Sequence, residues 1–241
     1  MSEGTLQFSD EMAPVPIGEL AFLGQPLTGD GLVVRRSAGF WCVPNRDVKM
    51  RVVGRGKSVR DVDGSTLLHD GETLFFPSGR AVFRETGRDE EVESERKRLV
   101  ANVAEEPNDE PRWQVYRDWL CERGEPRGDR VATRETSWPE PLARYIGPEV
   151  VHAEWYAGHV TTLRLFRAES GPDCAQLTLA LWSGVSELVT SIVIDSSAIA
   201  SFSSVQERLS HARLPALRSI DSPLRAARLR MPHCPYISDF P

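Results

Sequence analysis

No uninterrupted apolar stretch in this 241-residue chain approaches the roughly 20 residues that a bilayer-spanning helix needs. The amino-terminal segment MSEGTLQFSDEM has neither a basic start nor an apolar core, so a secretory signal is not expected. Cysteine is sparse. Cys42, Cys121, Cys174 and Cys234 lie far apart, none forms a CxxC pair, and no His/Cys pair has zinc-ligand spacing. Reduced thiols in a cytoplasmic protein are the simplest expectation. Positive charge is missing from the start: no Lys or Arg precedes Arg35, whereas Glu3, Asp10, Glu11, Glu19 and Asp30 do. With a formal net charge of −6 the chain also lacks the basic excess that displaces counterions from a phosphate backbone, so nucleic acid is not an expected partner.

Catalytic patterns are missing as well. The five histidines, His69, His152, His159, His211 and His233, form no HExxH-type cluster. His233 beside Cys234 is expected in a loose tail punctuated by Pro232 and Pro235, since sequence neighbours usually point apart. The serine-rich run 186–204 has no G-x-S-x-G elbow. Gly54-Arg55-Gly56-Lys57-Ser58 is reminiscent of a phosphate loop, but Arg51 stands where that loop needs glycine, and Val59 and Val62 continue as strand. A β-turn is expected there. If the region takes an anion, Arg55, Lys57 and Ser58 are the candidate residues. No reaction, cofactor or metal is expected.

What is present reads as three regions. With 40% hydrophobic and 27% charged residues, the chain has enough apolar material for real cores. Residues 1–86 hold short apolar or alternating runs, among them 20–23, 31–35, 40–43, 48–53, 73–76 and 81–84. Gly, Pro and Asp punctuate them, the pattern of a small β-sandwich or barrel. Residues 87–140 are helical: Val92, Leu99, Val100 and Val103 make one stripe, and Glu105-Glu106-Pro107-Asn108 breaks it. A second helix starts near Asn108 or Asp109, takes Pro111 in its first turn, gathers Trp113, Val115, Tyr116, Trp119 and Leu120 on a broad apolar face, and stops at Gly124 and Pro126. A short third helix, about 127–135, follows. Arg112 falls inside the apolar arc of the second, where its stem either skirts the core or its head bonds a carboxylate or helix-end carbonyls.

Residues 141–241 carry a weak repeat. Leu163-Arg164-Leu165, Ile192-Val193-Ile194 and Leu217-Arg218-Ser219-Ile220 read as strands, with Leu163, Ile192 and Ile220 spaced by 29 and 28 positions. Ser203-Ser204 and Gln206 to Arg213 read as helical, with Val205 and Leu209 at i and i+4, and Leu224 and Leu229 begin a truncated last unit. Strand plus helix at this period predicts a leucine-rich-repeat-like α/β solenoid.

Two stretches resemble known families. Asp109, Pro111, Arg112, Tyr116, Asp118, Trp119, Leu120, Glu122, Arg123, Gly124, Pro126, Arg127 and Gly128 match the pattern of the short helical repeat-companion domain, with Gln114, Arg117 and Cys121 departing from it. That resemblance implies a module accompanying leucine-rich-type repeats and no known reaction. The run from Gly39-Phe40-Trp41 through Gly54-Arg55 and Leu67-Leu68-His69-Asp70-Gly71-Glu72 to Val82-Phe83-Arg84 is similar to the second half of a forkhead-associated (FHA) domain. The Gly-Arg and Ser-x-x-His with which that family recognises phosphothreonine do not occur before Trp41.

The expected architecture is therefore α+β and multidomain: an FHA-like β-domain (1–86), a helical repeat-companion module (87–140) and a degenerate leucine-rich-repeat-like region (141–241). The expected role is a non-catalytic scaffold presenting a repeat surface to another protein, without nucleic acid or membrane. Trp155, Tyr156, Arg164 and Arg218 are the expected protein-binding residues. The alternatives are phosphopeptide binding by the β-domain and service as an accessory subunit of an enzyme complex.

Overall fold

Short apolar and alternating runs at the start of the chain form strands. Some, such as Met50–Val53 and Thr73–Phe76, alternate between buried and more exposed positions, whereas Gly31–Arg36 and Gly39–Pro44 are buried along nearly their whole length. The computed structural model of the protein describes residues 3–8, 12–37, 39–45, 47–54, 56–87, 89–140, 142–166 and 171–222. The strands are β1 (Glu3–Gln7), β2 (Val15–Ile17), β3 (Leu20–Leu23), β4 (Gly31–Arg36), β5 (Gly39–Pro44), β6 (Met50–Val53), β7 (Val59–Val62), β8 (Thr66–Leu67), β9 (Thr73–Phe76) and β10 (Gly79–Thr86). They build two antiparallel sheets, ordered β2-β1-β10-β9-β6-β7 and β3-β4-β5-β8. Leu6, Met50, Val52, Leu74, Phe76 and Phe83 from the first sheet share a core with Leu23, Val33, Phe40 and Cys42 from the second.

The chain divides into two compact units, Met1–Ser94 and Glu95–Pro241, within helix α1 (Glu90–Glu105). The second unit continues with α2 (Glu110–Glu122), α3 (Pro126–Thr133), β11 (Val151–Tyr156), β12 (His159–Leu165), α4 (Gly171–Trp182), β13 (Ser191–Ile194), α5 (Phe202–His211) and β14 (Ser219–Asp221). Helix α2 ends as its sequence demands. Gly124 takes φ +62 and its N–H reaches Cys121 O, while Glu125 N–H reaches Leu120 O, the paired bonds of a Schellman stop.

The expected solenoid is corrected to a mixed α+β arrangement. Strands β12, β13 and β14 are parallel, with Leu163, Ile192 and Ile220 in register, but β11 joins β12 antiparallel. A two-residue turn, Ala157-Gly158, connects them, with φ of +47 and +73. A stacked coil would instead have every neighbour parallel. Helix α4 is no one-faced outer wall either: Cys174, Ala175, Leu177, Thr178, Leu179, Ala180, Leu181 and Trp182 are all buried. Leu224, Leu229, His233 and Cys234 lie outside the described residues.

Candidate functional site

The segment from Asp109 to Gly128 packs inside its own unit. Arg112 retains 22% of its side-chain exposure. Its head donates to Asn102 O at 2.7 Å, near the carboxyl end of α1, and pairs with Glu105, Glu106 and Asp109. The guanidinium thus bonds carboxylates and a helix-end carbonyl, as the second of the two readings has it. Trp113 Nε1 donates to Pro107 O at 2.8 Å, and Trp119 Nε1 donates to Glu95 at 2.6 Å. Arg123 lies over the Trp119 ring at 4.4 Å and pairs with the same Glu95. A Cβ on Gly128 would lie 2.9 Å from Cys121 N, which explains why α3 can approach α2 only with glycine there.

Behind these helices lies a buried charged layer. Arg96 bonds Glu125, and Arg127 stands 4.0 Å from Glu187, all four at most 6% exposed as residues. Such pairs hold one geometry, because removing one partner strands the other's charge in a low-dielectric interior. His159 packs on Trp113 at 5.2 Å and on Tyr116 at 5.9 Å between ring centroids. Burial holds the imidazole neutral, with its pKa pushed down to about 4, and burial likewise raises Tyr116 to about 12.

The expected binding residues divide between two situations. Trp155 packs edge-on against Trp138 at 5.2 Å, with Arg130 5.9 Å from its ring. Tyr156 donates its hydroxyl to the Glu110 carboxylate, which raises its pKa, and its ring meets Trp113 at 5.8 Å. Arg218 donates to Ala104 O at 2.8 Å and to Glu105 O, satisfying last-turn carbonyls of α1. These three side chains bond or pack within the second unit. Arg164 is exposed on β12, opposite His152 and Val193. The four do not share one row of the sheet.

Of the suggested anion-binding turn, Arg55 lies outside the described residues. Lys57 and Ser58 are exposed, but the backbone amides close the turn themselves: Gly54 N–H bonds Ser58 O and Lys57 N–H bonds Gly54 O, each at 2.9 Å.

A more conspicuous surface lies on the outer face of the six-stranded sheet. In one row across four strands stand Arg80, Phe75, Arg51 and Asp61; the next row holds Val82, Thr73, Val53 and Val59. Phe75 is 42% exposed and Val59 is 60% exposed. The alternation in Thr73-Leu74-Phe75-Phe76 held this signal, because period two sends Leu74 and Phe76 inward and Phe75 outward. Two adjacent phenylalanines instead read as one apolar run.

Among the described residues no group of three or more His, Cys, Asp or Glu could hold a metal ion, and no helix is long and apolar enough to cross a membrane. Comparison of the chain with protein-family models, with curated proteins and with solved structures finds no match.

Proposed function

We propose that this chain is a non-catalytic, cytoplasmic scaffold that binds another protein, with α1 to α3 bracing the sheet of the second unit. One observation carries the reading. Six large or charged side chains of the 109–128 segment, Arg112, Trp113, Tyr116, Trp119, Arg123 and Arg127, are engaged with neighbours inside their own unit. A motif used this way builds a framework, which is the role the repeat-companion resemblance suggests. The net charge of −6 supports a protein partner over nucleic acid.

The test is a native pull-down with the full chain, followed by mass spectrometry and size-exclusion chromatography of the recovered material. A protein recovered in fixed stoichiometry is expected. Recovery of the chain alone, or turnover of a small molecule by the purified chain, overturns the reading.

A further inference from the structure

We propose that the outer face of the six-stranded sheet, centred on Phe75, docks an acidic segment of a partner protein that carries an apolar anchor residue. This deepens the scaffold reading and rests on it. An antiparallel sheet with one solvated face ordinarily turns polar side chains outward. Here the middle strands turn out Phe75 and Val53, with Val59 beside them on β7. Exposed apolar side chains gathered in adjacent rows mark an interaction surface.

The charges select the partner. Arg80 and Arg51 stand directly opposite Phe75 on the two neighbouring strands, where cross-strand side chains touch. Arg51 faces Asp61 at 3.7 Å, beyond hydrogen-bond length, and the two side chains are 69% and 88% exposed. That pair contributes little and leaves the guanidinium fork available. Arg84 continues the basic edge along β10 and is exposed. Arg51, Arg80 and Arg84 outnumber the two carboxylates of this face, Asp61 and, on β1 next to Arg84, Glu3, so it is positive on a chain whose net charge is −6. Aromatic and Arg side chains together are the usual anchors of a protein interface, and the planar fork of Arg matches a carboxylate.

Other occupants fit less well. A second copy docking through the same face would set arginine rows against each other. Single-stranded nucleic acid is gripped by successive stacked rings, and these two rows offer one.

The probe is a short fluorescein-labelled peptide in which Asp and Glu alternate with Leu and Phe, titrated with the full chain by anisotropy. Binding that weakens with added salt is expected. About a tenfold loss is expected in Arg51→Glu/Arg80→Glu, and a loss of similar order in Phe75→Ala. Unchanged circular dichroism and melting of these variants confirm that the fold is intact. The proposal is overturned if the peptide does not bind, or if it binds the variants as well as the parent. It is equally overturned if labelled oligo-dT binds this face in its place, or if Phe75→Ala converts a dimer to a monomer. A pull-down partner retained by both variants leaves the scaffold reading standing and removes only this docking face; loss of every partner from the parent chain removes both.

Discussion

His159 begins β12 with its ring closed in by Trp113 and Tyr116, and its Nδ1 lies 3.2 Å from Ala157 O. Only a protonated nitrogen can donate to a carbonyl, so the neutral ring carries its hydrogen on Nδ1. Burial opposes a second proton first and most strongly. Arg127 and Arg130 oppose it too, while Glu187 and the Ala157 bond favour it. The native pKa is about 4 against an ordinary 6.5. As pH falls below 6.5 the unfolded chain takes up a proton that the folded chain refuses, so stability falls toward pH 4 and this contribution is flat above 6.5. The loss across that window is on the order of 3 kcal/mol. Urea titrations at a series of pH values, followed by tryptophan fluorescence, measure it. His159→Gln is expected to flatten the slope between pH 6.5 and 4; an unchanged slope would assign the effect elsewhere.

At the scale of elements, the α2–α3 corner turns on Gly128. An added Cβ there meets Cys121 N at 2.9 Å and Leu120 C at 3.1 Å, both backbone atoms that cannot rotate away. Gly128→Ala is therefore expected to cost on the order of 2 kcal/mol. Gly18→Ala, where a Cβ meets nothing within 4 Å, is expected to be near neutral. Equal shifts in the two urea midpoints would deny the corner its close contact. This corner was largely legible beforehand, because its determinants are local: Pro111 in the first turn, Gly124 at the stop, Pro126 opening α3. What could not be read was long-range. Arg96 sits on the face that also buries Val100 and Val103, and it does so because Glu125, 29 positions away, meets it. Nothing near Arg96 in the chain announces that partner. The spacings of 29 and 28 residues did bring Leu163, Ile192 and Ile220 onto neighbouring strands. Period alone does not specify whether the strand before them runs parallel. Ala157-Gly158, a pair suited to a tight hairpin, turned β11 back and made the sheet mixed.

For the molecule as a whole, the cysteines fall so that each unit contains its own reporter. Cys42 lies in the core between the two N-terminal sheets, 3.6 Å from Met50 Sδ, and Cys174 is buried on α4 in the second unit. Cys121 is exposed on α2. Thiol alkylation proceeds through the thiolate. Burial raises the Cys42 pKa to about 12, so near pH 8 roughly one thiol in ten thousand is ionised even before access is considered. In a Cys234→Ser background, iodoacetamide is expected to label Cys121 promptly in buffer and to leave Cys42 and Cys174 untouched. Adding urea then makes each buried thiol reactive only as its own unit opens. Peptide mapping of the labelled chain yields two protection curves from one titration, one for the β-sandwich and one for the mixed sheet. Separate midpoints would mean that the division at Ser94 and Glu95 is a division in stability as well as in contacts. Coincident midpoints would mean that α1, which runs through that division, makes the two units unfold as one. Labelling of Cys42 in buffer as fast as Cys121 would contradict the closed core between the sheets.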